Sequence, residues 1–190
     1  MLHTIIEGAG VFIYPLGICS FMAVFIIVER LLALRTSRVL PKALTEAFVS
    51  GDIIRLKGDL KSSAGRIVYF FQHTNPEPEA LKAFARLEIA RLERGLFILE
   101  IVISGAPLLG LLGTITGLAE AFSGRVSETG VPDLAQFSKA ISLALTTTML
   151  GLCIAIPTLV GNSYLNRRVD LLSARLDMGV ERLIDLARRK

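Results

Sequence analysis

The stretch Ser104–Phe122, SGAPLLGLLGTITGLAEAF, decides how this chain is built. It is almost wholly apolar, yet it carries Gly105, Gly110, Gly113 and Gly117, with Thr114 among them. Joined to the preceding LFILEIVI of Leu96–Ile103, it is long enough to cross a bilayer, which takes about 20 mostly apolar residues. Helices in lipid associate by packing rather than by expelling water, and small residues let two backbones approach closely. This helix is therefore expected to touch protein along at least one side.

Two more apolar runs flank it. Val11–Val28 (VFIYPLGICSFMAVFIIV) closes on Glu29-Arg30 and lacks the basic leader and small-residue cleavage site of a signal peptide. Ala140–Leu165 (AISLALTTTMLGLCIAIPTLVGNSYL) follows Pro132-Asp133 and closes on Arg167-Arg168. Pro157 within it removes the backbone bond to Cys153, which predicts a kink or a tightly packed neighbour. The pattern predicts an all-α membrane protein with three transmembrane helices and a cytoplasmic helical extension. Its segments are 1–34 (N-terminal segment and first span), 35–94 (polar helical loop), 95–122 (second span), 123–133 (outer loop), 134–166 (third span) and 167–190 (C-terminal helix).

Within 35–94, Pro41 opens a helix, while Gly51-Asp52 and Ser62–Gly65 break the pattern and Asn75-Pro76-Glu77-Pro78 marks a turn. Glu79–Arg94 (EALKAFARLEIARLER) has its apolar residues at helical spacing, and that helix is expected to run straight on into the second span. The tail from Arg167 places Val169, Leu172, Leu176, Val180, Leu183 and Ala187 on one face, which suits packing on other helices or a neighbouring subunit.

Orientation follows from counting basic residues. Arg35–Arg94 holds eleven and Arg167–Lys190 seven, against none in Met1–Gly10 and only Arg125 in the outer loop. The N-terminus is thus expected outside, with both basic segments in the cytoplasm. The formal charge of +4 belongs to these flanks. No groove-reading or base-stacking motif accompanies it, so nucleic acid is not an expected partner. Cys19 and Cys153 read as small buried hydrophobes rather than a disulfide or metal pair. His3 and His73 are isolated, and no nucleophile–base set or metal-ligand cluster is present in the sequence. An enzyme is not expected, and no cofactor is implied.

Ionisable side chains keep to the ends of the spans: Glu29, Glu100, Glu120 and Lys139. Their middles hold hydroxyls instead, at Thr114 and Thr116 and at Ser142, Thr146, Thr147 and Thr148. Each hydroxyl either bonds back to the preceding turn or lines a water-containing lumen. Thr114 shares a face with Gly110, Gly117 and Ala121, and Thr148 with Ala144, Gly151 and Ala155. Two such faces at similar depth suit the inner wall of an oligomeric pore.

GAPLLGLLGTITGLAEAF and TTTMLGLCIAIPTLVGN closely resemble the second and third spans of the ExbB/TolQ/MotA proton-channel proteins, and IVERLLALR resembles the family segment ending the first span. The resemblance implies a homopentamer in the bacterial inner membrane, around the single-span helices of a dimeric ExbD/TolR-type partner. That partner brings the ion-carrying aspartate, and this subunit faces it with threonines. By motif position Thr114 and Thr148 carry over; Thr147, Gly110, Gly117, Ala144 and Gly151 complete the expected ion pathway. Inward ion flow would then pass force to a TonB-like or other envelope client. The sequence departs from the family pattern at Leu143, where ExbB and TolQ members commonly carry glutamate. Either the carboxylate is dispensed with or the ion path differs at its outer end; ion coordination by the Thr146–Thr148 cluster would leave sodium beside the proton as coupling ion. The chain is shorter than typical MotA proteins, which favours the ExbB/TolQ side. The alternative of another class is a non-conducting oligomeric scaffold.

Overall fold

The computed structural model describes residues 10–41, 44, 46, 60–123 and 134–188, without the side chains of 37, 120, 121, 123, 134–136, 139 and 143. The expectations for Gly51-Asp52, for the loop around Arg125 and for the side chains of Glu120, Ala121, Lys139 and Leu143 lie outside the described residues. Every described element is helical. A 3-10 turn at Gly10–Phe12 leads into α1 (Ile13–Ala33); α2 (Thr36–Val39), α3 (Ser63–Thr74), α4 (Pro78–Glu93), α5 (Leu96–Ser123) and α6 (Leu134–Arg188) follow. Three helical stretches, Gly10–Ala33, Pro78–Ala119 and Ala140–Arg188, are long and apolar enough to cross a membrane.

The chain divides into two units, Met1–Ile27 with Phe97–Asn162, and Val28–Leu96 with Ser163–Lys190. In the first unit most large apolar side chains stay uncovered. Phe21, Leu108, Ile115, Leu145 and Ile156 are each more than half exposed. A water-soluble monomer does not display apolar surface on this scale. The same pattern is what lipid and neighbouring helices demand of a membrane span.

The second unit has an ordinary apolar core. Ser62 caps α3, its hydroxyl accepting the Gly65 N–H at 3.0 Å, so the Ser62–Gly65 interruption is a helix start. Asn75 ends α3 in the left-handed conformation with φ 42°, and Pro78 then occupies the first turn of α4. Phe70 and Phe84 stack across this turn at 4.4 Å. Glu88 is 1% exposed on the apolar face of α4, where Arg66 reaches one carboxylate oxygen (Nε 2.8 Å) and Arg91 the other (2.7 Å). Pairing on both oxygens is what makes a buried carboxylate tolerable. On the surface Lys82 pairs with Glu181 at 2.8 Å.

Several details differ from expectation. Helix α4 does not run on into the second span. Arg94 is extended and Gly95 has φ +91°, a backbone region that L side chains rarely adopt. The third span and the tail form one helix of 55 residues with Pro157 inside it, rather than two helices parted at Arg167. The tail buries Val169, Leu172, Leu176, Val180 and Leu183 as expected, but Ile184 in place of Ala187, which is exposed. Cys19 is half-buried and Cys153 exposed, so neither thiol is the fully covered hydrophobe its apolar context suggests.

Candidate ion-path seam between the second and third spans

The first unit is organised by the seam between α5 and α6. The two helices approach so closely that glycine hydrogens are all that fits at several levels. A Cβ on Gly117 would stand 2.9 Å from the Ala144 Cβ. One on Gly110 would stand 2.7 Å from the Thr147 carbonyl oxygen and 2.9 Å from the Thr148 Cα. One on Gly113 would stand 2.6 Å from the Thr147 hydroxyl, and one on Gly151 would stand 2.5 Å from the Ala106 carbonyl oxygen. Levels that rise along α5 fall along α6, so the two spans are antiparallel. Ile27 of α1 packs in the same way over Gly161, with its Cδ1 2.6 Å from where a Cβ would be.

The structure brings six of the seven predicted site residues to this seam, with the Thr148 Cα against Gly110, and places Thr114 one turn along α5 from Gly110. Gly110, Gly117, Ala144, Thr147 and Gly151 stand where α5 and α6 meet within one chain. Their small size is used first for this close approach. Gly113, absent from the predicted set, belongs with them; its signal was its place one turn from Gly110, on the side that α6 covers. Thr114 is 8% exposed and donates to the Leu111 carbonyl at 2.6 Å. Thr116 bonds back to Leu112 and Gly113, and Thr146 to Ser142. Back-bonding to the preceding turn therefore accounts for these three hydroxyls.

Thr147 and Thr148 behave differently. Thr147 is 2% exposed, and its hydroxyl lies 2.7 Å from the Ala144 carbonyl and 3.0 Å from the Gly110 carbonyl across the seam. The Thr148 hydroxyl is buried and has no hydrogen-bond partner in the chain. An unmade bond at a buried polar atom costs about 1–3 kcal/mol, and within the chain nothing offsets that cost at Thr148. Among the described residues no three of His, Cys, Asp and Glu come together as metal ligands. What the seam offers an ion or a protonated group is neutral hydroxyl and carbonyl oxygen.

The model of the MotA/TolQ/ExbB proton channel family matches residues 61–178. The chain is 27% identical over 195 residues to the biopolymer transport protein exbB1 of Vibrio cholerae, covering 93% of this chain and 84% of that protein. It is 31% identical over 166 residues to the putative biopolymer transport protein ExbB-like 3 of Synechocystis, covering 80% of this chain and 79% of that one. Over 97 residues it is 38% identical to the biopolymer transport protein ExbB of Helicobacter pylori, covering 50% of this chain and 66% of that one. The family match spans both faces of the seam and more than half of the sequence. The chain is a multi-pass membrane protein that belongs to the MotA/TolQ/ExbB proton channel family.

Proposed function

We propose that this chain is the pore-forming subunit of an ion-driven motor in the bacterial inner membrane, with its N-terminus outside and its C-terminus in the cytoplasm. Five copies surround the transmembrane helices of an ExbD/TolR-type partner dimer. Thr114 and Thr148 face the path, while Gly110, Gly117, Ala144, Thr147 and Gly151 make the close-packed wall around them. The partner brings a carboxylate that binds and releases a proton or a sodium ion, and the hydroxyls steady it without adding fixed charge. Ion flow drives relative motion of the two components and energises transport or another envelope process through a TonB-like client.

The observation that carries this reading is the Thr148 hydroxyl, buried without a partner in the chain beside a Thr147 hydroxyl that has two. A residue that served assembly alone would have no need of an oxygen left in that state. The test is Thr148→Val and Thr114→Val in the full-length chain expressed with its natural partners. Both variants are expected to keep the native mass of the detergent-extracted particle and to lose ion-driven activity. A scaffold without conduction predicts unchanged activity in both, and that outcome would reject the motor reading.

A further inference from the structure

Three consecutive threonines on α6 have hydroxyls with three different fates. Thr146 bonds within its own helix to the Ser142 carbonyl at 2.9 Å. Thr148 is buried and unpartnered. Thr147 reaches out of its helix, to the carbonyl of Gly110 thirty-seven residues away. Its single proton is shared between that carbonyl, at 3.0 Å, and the carbonyl of Ala144, at 2.7 Å. Gly113, one turn along α5 from Gly110, leaves the room that this side chain fills, since a Cβ there would lie 2.6 Å from the Thr147 hydroxyl and 2.8 Å from its Cβ.

The Gly110 carbonyl has a second task. Inside α5 it is the acceptor four residues back from the Thr114 N–H, by the ordinary bonding pattern of an α-helix. The Thr147 hydroxyl therefore binds the turn that carries Thr114 and sits one peptide bond from Thr148. We propose that Thr147 is a positioning residue: it fixes the rotation of α6 against α5 so that Thr114 and Thr148 address the same space, and it is not itself an ion ligand. This inference rests on the ion-path reading of Thr114 and Thr148 given above. Hydroxyl bonds between membrane helices contribute little to stability on average. Losing this one is thus expected to disturb alignment far more than assembly.

The experiment compares Thr147→Val, which keeps the shape and removes the hydroxyl, with Thr147→Ser, which keeps the hydroxyl. Both are made in the full-length chain with its natural partners, and Thr148→Val serves as control. The measurements are native mass, melting temperature, and the rate and pH profile of proton and sodium uptake into inverted membrane vesicles. Thr147→Val is expected to keep the wild-type mass, to melt within a few degrees of wild type, to lose uptake at least tenfold and to shift its pH profile. Thr147→Ser is expected to restore both rate and profile. Wild-type uptake by Thr147→Val, no recovery in Thr147→Ser, or loss of the oligomer in Thr147→Val would each overturn the assignment. If Thr148→Val abolishes uptake while Thr147→Val does not, this inference alone falls. If Thr148→Val transports normally, the ion-path reading falls and takes this one with it.

Discussion

Gly151 lies against the Ala106 carbonyl so closely that a Cβ would stand 2.5 Å from its oxygen and 3.3 Å from the Pro107 Cα. Both obstacles are backbone, so no rotamer change makes room. Gly151→Ala and Gly110→Ala are expected to destabilise the protein by about 1–3 kcal/mol, the usual cost of overpacking. Gly105 is the control: nothing stands within 4 Å of its missing Cβ. Gly105→Ala is expected to be neutral or stabilising by up to about 1 kcal/mol through helix propensity. Melting curves of the detergent-extracted variants separate the two classes, and equal effects at Gly105 and Gly151 would refute the seam.

The Gly95 break between α4 and α5 carries two separable costs. Its φ of +91° disfavours any side chain, and the Arg30 guanidinium lies over it, with Nε 3.2 Å from where a Cβ would be. Gly95→Ala should lose about 1–2 kcal/mol to the left-handed backbone alone, with a further loss from displacing Arg30. In an Arg30→Ala background the same change is expected to cost less but not nothing. A double-mutant cycle on melting temperature reads the difference, and strict additivity would show that Arg30 is irrelevant there.

Glu88→Gln removes the charge that holds Arg66 and Arg91 together. Arg91 is 65% exposed and Arg66 28%, so both can rehydrate when the carboxylate is gone. The expected loss is about 1.5–3 kcal/mol, the range for hydrogen bonds to charged groups, rather than the larger penalty of stranding a fully buried ion. Proteolysis during a urea titration would detect it as earlier cleavage around α3 and α4. Unchanged susceptibility would mean the cluster contributes nothing.

The hydrogen bond and charge of Glu181 raise the Lys82 ammonium above its ordinary value of 10.5. A raised lysine stabilises the folded state fully below that ordinary value and loses the contribution as pH climbs through the folded one. Any difference in melting temperature between wild type and Lys82→Met should therefore be flat from neutral pH to about pH 10, then shrink. Because the pair is on the surface, the difference should be small and fall with added salt. A difference that grows above pH 10.5 would contradict the pairing.

Length and apolarity made the three spans legible, because crossing a bilayer imposes a minimum run that few other structures need. The Gly95 break was legible too in hindsight: a glycine directly after Arg91–Arg94 is a common helix stop. The apolar pattern on both sides of it concealed the signal. Glu88 could have been found by its register, three residues from Ala85 and four from Leu92, both buried with it. What sequence could not supply was the partner of each small face. Glycine spacing says that some backbone comes close, but Gly110, Gly113 and Gly151 name neither the helix nor the level they meet. Nor could it divide Thr146, Thr147 and Thr148 among three roles, since that depends on which carbonyl each hydroxyl reaches.

The turn at Asn75 bears on the order in which the chain is made. The contacts that close α3 on α4, Phe70 with Phe84 and Arg66 with Glu88, join residues at most 22 apart. Lys82 and Glu181, by contrast, cannot meet until the last helix has been synthesised. Short loops are the cheapest to close, and two prolines with a left-handed asparagine narrow the choices of the nascent chain still further. The α3–α4 hairpin is thus expected to form while the ribosome is still translating the second span, giving the C-terminal part of α6 a preformed surface on which to settle.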